Sequence, residues 1–109
     1  MPGWYEIAKN AKGQYSFVLK ASNDQVVLRS EQYESKATAQ SGIASVQKNS
    51  PSEERYELKT ASDGRFYFNL RAGNNQVIGT SQMYASEASR SNGVESVRVN
   101  GPSTDIRDA

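Results

Sequence analysis

Two glutamates, Glu6 and Glu57, come nearest in type and spacing to a catalytic pair. They stand 51 positions apart (57 − 6) in the matching contexts Tyr-Glu-Ile and Tyr-Glu-Leu. Two facing carboxylates can act as general acid and general base if their environments separate their pKa values. Because the chain has no histidine and no cysteine, proton transfer would fall to these glutamates or to Tyr67. We expect no enzyme, no metal and no cofactor, and we expect each glutamate to pair with a cation on the adjacent strand, Lys20 or Arg71.

A second group of residues has the chemistry of a binding surface. Trp4 and Tyr67 are aromatic, but the residues 51 positions away from them are Arg55 and Ser16. Strand alternation places both rings on the side that faces away from the core. The predicted binding set is Trp4, Lys20, Arg65, Tyr67, Asn69 and Arg71. Such a surface can stack nucleic-acid bases or bind a peptide or protein, whereas the alternative is that both rings only cover neighbouring strand atoms.

The elements that must position these residues occur twice. Residues 5–51 align with residues 56–102 without a gap, and 18 of the 47 aligned columns (51 − 5 + 1) are identical. A gapless repeat indicates that one supersecondary unit was duplicated. Since about half of a 109-residue chain would be marginal alone, we expect the two copies to share one core. The predicted domain is therefore 1–109, with repeats at 4–51 and 55–102.

Each repeat begins with a predicted three-stranded meander. Alternating Tyr15, Phe17 and Leu19, matched by Phe66, Phe68 and Leu70, predict a strand that faces the core. For the preceding strand to share that face, the turn between them needs an odd number of residues, which a three-residue loop ending in Gly13 or Gly64 provides. A second turn is predicted at 22–24 and 73–75, and a third strand at 25–30 and 76–81. The valine pair of that third strand leaves its orientation open.

A helix follows in each repeat. Ser35 and Ser86 are predicted N-caps because a serine oxygen accepts the free N–H groups of the first turn. Gly42 and Gly93 are retained mid-helix despite a cost of about 1 kcal/mol against alanine, which indicates a close approach of the helix backbone to the sheet. Asn-Ser-Pro at 49–51 and Asn-Gly-Pro at 100–102 predict the helix ends. Extended segments are then expected at 52–55 and 103–107.

The predicted fold class is therefore α+β, with two tandem β-β-β-α-β units. The matched segments WYEI (4–7) and RYEL (55–58), GQYSFVLKASN (13–23) and GRFYFNLRAGN (64–74), SQMYAS (81–86), GIASV (42–46) and GVESV (93–97) resemble the YegP-like family of small uncharacterised bacterial proteins. The resemblance implies one antiparallel sheet with exchanged last strands, both helices on one face, and a fused, monomeric pseudo-dimer. It implies no activity, substrate or catalytic residue.

Composition narrows the function. The net charge is +1, from 13 basic and 12 acidic residues, without the basic excess typical of dedicated nucleic-acid or membrane-surface proteins. No apolar run of 18 residues and no signal-like segment is present, so we expect a cytoplasmic protein. The favoured hypothesis is a non-enzymatic interaction module that binds an unknown protein or peptide on the open sheet face. Single-stranded nucleic-acid binding on that face is the alternative, and an enzyme is the third.

Overall fold

The computed structural model describes residues 3–109, which form one sheet and two helices. In chain order the elements are β1 (Trp4–Lys9), β2 (Tyr15–Lys20), β3 (Val26–Arg29), α1 (Lys36–Asn49), β4 (Tyr56–Thr60), β5 (Phe66–Arg71), β6 (Val77–Thr80), α2 (Glu87–Asn100) and β7 (Ile106–Asp108). The sheet order is β4-β5-β6-β3-β2-β1-β7. The α+β class is confirmed, and the two meanders meet at the centre, where Arg29 of β3 pairs with Thr80 of β6.

Strand β7 breaks the antiparallel pattern of the sheet. It pairs in parallel with β1, so the sheet is mixed and the expectation of an all-antiparallel sheet is wrong at this strand. After α2 ends, the tail runs alongside β1 in the same chain direction, which makes this pairing parallel. The tail of repeat two thus lies against the first strand of repeat one, as the idea of an exchanged strand requires.

The matching tail of repeat one does not form a strand. Residues Glu53–Arg55 form a short 3-10 helix, and the N–H of Tyr56 donates to the carbonyl of Glu53. The expected extended piece at 52–55 is therefore wrong. These residues must turn the chain from the end of α1 directly into β4, so they cannot also lie beside another strand. The exchange occurs in one direction only.

The first hairpin of each repeat has the expected loop. Asn10 donates its N–H to the Gln14 carbonyl at 2.8 Å, which leaves residues 11–13 as the loop. The last loop residue is left-handed in both repeats, with φ of 81° at Gly13 and 87° at Gly64. Such angles strain any residue with a Cβ. The resulting register pairs Tyr5 with Leu19 and Ile7 with Phe17, and all four side chains are buried.

In the second turn the left-handed residues are Asp24 and Asn75, both with φ of 71°. Asn23 and Asn74 have another function there, since each side-chain oxygen accepts the N–H two residues later, at 3.2 and 3.1 Å. This local bond is the usual Asx-turn arrangement. The asparagine pair is therefore explained by turn geometry.

A β-bulge settles the orientation of the third strand. The register between β2 and β3 shifts, so Leu19 pairs with Leu28 but Lys20 pairs with Val26. A bulge places two residues of one strand opposite one residue of its partner. Consequently Val27 and Leu28 are both buried, which alternation in the sequence alone does not predict.

Both helices are capped as expected. Ser35 accepts the N–H of Thr38 at 3.1 Å, and Ser86 accepts the N–H of Ser89 at 3.1 Å. The mid-helix glycines, however, make room for side chains and not for sheet backbone. A Cβ at Gly42 would meet the hydroxyl and ring of Tyr33 and the ring of Phe17, and one at Gly93 would meet Tyr84.

One shared core joins the two repeats. Its buried members come from both meanders and both helices, namely Tyr5, Ile7, Phe17, Leu19, Val27, Leu28, Ile43, Val46, Phe68, Leu70, Ile78 and Val97. Because α1 and α2 each contact strands of both repeats through this cluster, they cover the same side of the sheet. Neither helix in residues 3–109 has the length and apolar run needed to cross a membrane.

The centre of the core cannot be symmetric. Leu28 and Gly79 occupy matched positions, 51 residues apart (79 − 28), and they lie together where β3 meets β6. A Cβ added at Gly79 would lie 2.5 Å from Cδ2 and 2.7 Å from Cγ of Leu28. Leu28 therefore fills a space that could not also hold a leucine at position 79.

We expect Gly79→Leu to lower the free energy of unfolding by about 3 kcal/mol, because overpacking a close-packed core costs about that much. Leu28→Gly alone should cost a similar amount through the cavity that it leaves. The swapped double variant should lose clearly less than the sum of the two, as measured by chemical denaturation. Strict additivity of the two losses would contradict a shared space.

Candidate functional site

The predicted binding residues lie on the open face, which we define as the side of the sheet opposite the helices. The strand register places Trp4 beside Lys20 on this face. Tyr67 and Asn69 lie on β5, paired with Lys59 and Glu57. Strands β1 and β5 are four steps apart in the sheet, about 19 Å at the usual strand spacing. The predicted set is therefore two separate clusters and not one patch.

The first cluster surrounds Trp4. Its indole N–H donates to Oε2 of Glu6 at 2.8 Å, and the Lys20 ammonium lies 3.2 Å from the same oxygen. The Trp4 hydrogen bond and then Lys20 hold the pKa of Glu6 below its ordinary value. The guanidinium of Arg107 lies over the ring, 4.3 Å from its centre. Trp4 is thus partly covered by the chain's own tail.

The second cluster lies on β5. Arg71 contacts Oε1 of Glu57 at 2.8 Å and donates to the Asn75 carbonyl at 2.6 Å. Asn69 donates to Glu57 at 3.3 Å and accepts from Thr80 at 2.8 Å. Arg71 first, and then Asn69, lower the pKa of Glu57. A ligand on this face would have to compete with these bonds.

Arg65 belongs to neither cluster. It lies at the end of the hairpin loop, where its Nε contacts Oδ2 of Asp63 at 2.7 Å. Arg65 also lowers the pKa of that aspartate, mainly through its backbone N–H. Its position next to the left-handed Gly64 indicates a local turn contact.

The two glutamates do not face each other. Strands β1 and β4 are five steps apart in the sheet, about 24 Å. Each carboxylate instead contacts the cation expected from the sequence, Glu6 with Lys20 and Glu57 with Arg71. The expectation of diagonal ion pairs is confirmed, and a shared acid–base site is wrong.

A groove beside β4 was not predicted. It has a volume of about 320 Å³ and runs between β4 and the outer side of α2. Its lining residues are Glu53, Tyr56, Leu58, Ser91, Val94, Glu95 and Arg98. Leu58 is 56% exposed there, although it occupies the position that matches a core residue of repeat one.

That core residue is Ile7, which is only 3% exposed. The difference arises from β7, which pairs with Tyr5 and Ile7 along the outer edge of β1. Strand β4 is last in the sheet order and has no such neighbour within residues 3–109. Isoleucine and leucine carry the same hydrophobic signal, so the residue types give no indication of the groove. The indication is that, among the described residues, the segment after α1 must continue into β4, whereas the segment after α2 can pair with β1.

Comparison with known proteins identifies the family. The model of a family described as "Domain of unknown function (DUF1508)" matches residues 10–57 and again 61–108. The chain belongs to this family. The two matches confirm the tandem repeat, with the same period of 51 (61 − 10). The DUF1508 family description names no activity.

Curated relatives of this DUF1508 chain are similar along their whole length. The UPF0339 protein YegP of Escherichia coli strain K12 is 56% identical over 108 residues, which cover 99% of this chain and 98% of that one. A UPF0339 protein in the ptx operon 5′ region of Stutzerimonas stutzeri is 48% identical over 106 residues, 97% and 96% of the two chains. The resemblance to YegP-like proteins is confirmed.

Two solved structures have the same fold. The solution NMR structure of yegP from E. coli, a protein of unknown function, superposes with a TM-score of 0.94 at 56% identity, over 99% of this chain and 93% of that one. The solution NMR structure of a UPF0339 protein from Shewanella oneidensis gives 0.93 at 54% identity, over 99% and 92%. These relatives share the DUF1508 architecture and leave its function open.

We expect Trp4→Phe to raise the pKa of Glu6 in the folded protein, because the substitution removes the hydrogen bond that lowers it most. In the wild-type protein the contacts of the Glu6 carboxylate stabilise the fold above the ordinary pKa of 4.5. This stabilisation is lost as the pH falls through the lowered pKa. Carboxyl-detected NMR titration measures this shift. Glu57, which does not contact Trp4, is the internal control, and an unchanged Glu6 pKa would contradict the assignment.

Proposed function

We propose that the protein is a non-catalytic interaction module that binds an extended segment of a protein partner along β4. The observation that carries this proposal is the exposure of Leu58, at a position where the matched Ile7 is buried in the core beside β7. Exposed apolar groups beside an open sheet edge mark places where another chain can pair. The binding surface consists of the groove beside β4 and the adjoining Glu57–Arg71 cluster of the open face.

The distribution of reactive groups supports a non-catalytic role. Within residues 3–109 no three metal-ligating side chains come together. Burial raises the pKa of Tyr5 and Tyr56, and each hydroxyl donates to a main-chain carbonyl, of Gly101 and Ser50 respectively. Such tyrosines fix structure and are poor proton donors near neutral pH. The monomeric state and the cytoplasmic location expected from the sequence stay predictions.

Single-stranded nucleic-acid binding on the open face is the second candidate, and a charge imbalance favours it. By the strand register this face carries five basic residues and two acidic ones, and two further aspartates pair with its cations from outside the strands. The basic residues are Lys20, Arg29, Lys59, Arg71 and Arg107, the acidic ones Glu6 and Glu57, and the added aspartates Asp24 and Asp105. Trp4 and Tyr67, however, are too far apart to stack successive bases, whose spacing is only a few ångströms. Affinity for mixed oligonucleotides should fall steeply with salt if this candidate is right, and absence of binding at low salt would remove it.

We expect a photo-crosslinking residue at position 58 to capture discrete partner proteins when the full-length chain is expressed in its own cells. The same residue at position 99 is the matched control, because Val99 is also exposed, at 60%, and is not among the residues that line the groove. Identical capture from both positions, or none from position 58, would contradict the proposal.

We also expect Leu58→Asp to abolish capture by the same photo-crosslinking residue placed at position 91, another lining residue of the groove. The substitution should change the free energy of unfolding by less than about 1 kcal/mol, since exposed positions usually tolerate substitution. Thermal and chemical denaturation check the fold of the variant. Ile7→Asp should instead destabilise the protein severely, because it places a charge in the buried core. Equal losses of stability in the two variants would show that Leu58 is not a free surface residue.

A further inference from the structure

The pairing of β7 with β1 provides a template for what the β4 edge can bind. In repeat one, Tyr5 pairs with Ile106, Glu6 with Arg107 and Ile7 with Asp108. Strand β4 presents the matched sequence Tyr56-Glu57-Leu58, and within the described part of the chain its sole strand neighbour is β5. The outer edge of β4 therefore corresponds to the edge of β1 that β7 covers, but no strand of the described residues pairs with it.

The main chain of β4 is arranged to accept a parallel strand. Ala61 donates its N–H to the Arg65 carbonyl, so alternation along an antiparallel ladder directs residues 57, 59 and 61 toward β5. Residues 56, 58 and 60 then direct their main-chain groups outward. The N–H of Tyr56 is already bonded to Glu53, which leaves the Tyr56 carbonyl and both main-chain groups of Leu58 for a partner.

The same groups are used in repeat one. Ala109 donates its N–H to the Ile7 carbonyl at 2.9 Å, and Tyr5 donates to the Asp105 carbonyl at 2.9 Å. The Ile7 carbonyl corresponds to the Leu58 carbonyl, which is free for a partner. The Tyr5 N–H corresponds to the Tyr56 N–H, which is already bonded to Glu53 in the 3-10 helix. A strand on β4 would thus begin pairing slightly later than β7 does on β1.

Side chains of α2 also match this arrangement. In repeat one the Gln47 amide donates to the Ser103 carbonyl, at 2.8 Å, just before β7 begins. The matched residue in repeat two is Arg98 (47 + 51), which lines the groove. Its Nε is shielded from solvent and has no hydrogen-bond partner among residues 3–109. A buried donor without a partner is costly. A shift of the Arg98 side chain, whose Nη1 contacts Glu95 at 2.9 Å, would let a main-chain carbonyl of an incoming strand satisfy that donor.

Charge distinguishes the two edges. In repeat one Asp108 contacts the Lys36 ammonium at 2.8 Å, at the start of α1. The residue that matches Lys36 is Glu87 (36 + 51), which is exposed at the start of α2. A strand on β4 would therefore need a basic residue where β7 has an aspartate. In the groove itself Glu95 is paired with Arg98 at 2.9 Å, and Glu53 adds a further acidic group, which also favours a basic segment.

We propose that the groove beside β4 binds an extended basic segment of a partner protein, parallel to β4. The segment has an apolar residue opposite Tyr56, seated in the groove, and a basic residue opposite Leu58 that faces Glu87. This inference rests on the proposed function and adds the direction, register and charge of the bound segment. A residue between these two would lie on the open face beside Glu57, in the place that Arg107 occupies beside Glu6.

The tail of a second copy fits this edge poorly. Its Asp108 would face Glu87, and like charges at close range oppose binding. The tail is also held on its own chain, where the Ser103 hydroxyl donates to the Gly3 carbonyl at 2.6 Å and the Gly3 N–H donates to Asn100 at 2.7 Å. Such tethering gives the intramolecular pairing a high effective concentration.

The test uses two synthetic peptides that differ at one residue, Ser-Thr-Thr-Ile-Arg-Lys-Ala and Ser-Thr-Thr-Ile-Arg-Asp-Ala, with blocked ends. Each is titrated into the isotope-labelled full-length protein and followed by NMR. The lysine peptide should shift the resonances of residues 56–60 and of Val94, while residues 4–9 of the covered edge stay unchanged. It should bind about tenfold more tightly than the aspartate peptide, the ratio expected when one weak ion pair replaces one repulsion.

The matched variant is Glu87→Lys, which gives α2 the residue that α1 has at this position. We expect it to reverse the preference, so that the aspartate peptide binds more tightly. Equal affinity of the two peptides at the β4 edge would overturn the charge and register assigned here but leave the proposed function standing. Absence of shifts at residues 56–60 with either peptide would overturn both.

Discussion

The fold depends on one topological constraint: a tandem duplication creates two outer sheet edges but has a single free tail. Repeat one cannot use its own tail as an edge strand, because residues 53–55 turn directly into β4. Repeat two can, and its tail forms β7 on the outer edge of β1. The burial of Ile7, the stacking of Arg107 on Trp4 and the Lys36–Asp108 contact all follow from that choice.

The remainder of the molecule is close to symmetric. Each repeat has the same cluster of three aromatic rings, with one edge-to-face contact and one stacked contact. The rings are Tyr5, Phe17 and Tyr33 in one repeat and Tyr56, Phe68 and Tyr84 in the other. Each has the same capping box and the same left-handed turn positions. This symmetry is broken in two places. One is the centre of the sheet, where Leu28 takes the space beside Gly79, and the other is the pair of outer edges.

Much of the architecture could be predicted because each element occurs twice, so that a pattern seen in one copy can be checked against the other. The hairpin loops follow from Gly13 and Gly64, and the register of β1 on β2 follows from which residues must share a face. The 3-10 helix, the parallel β7 and the bulge at Val27 could not be predicted, because each depends on where the chain must go and not on local residue preference. The site was harder still. Leu58 and Ile7 are equivalent in sequence, and only the position of the tail separates an exposed residue from a buried one.

Two features of β4 allow an open edge to be tolerated. Strand β4 has five residues, and Lys59 is the fourth of them. A short edge strand and a lysine on it are features by which natural proteins limit unselective pairing of sheet edges. A selective partner must therefore bring complementary charge as well as a strand. Of the two aromatic residues that differ between the copies, Trp4 belongs to the covered edge and Tyr67 lies on β5, next to β4.

The most direct test of the central claim is amide hydrogen exchange at Ile7 and Leu58 in the unliganded protein. The two N–H groups occupy matched positions and both face outward from their strands. If β7 covers one edge and the other is open, Ile7 should exchange slowly, near the rate set by global unfolding, and Leu58 should exchange at close to the rate of an exposed amide. Comparable protection at the two positions would contradict the account.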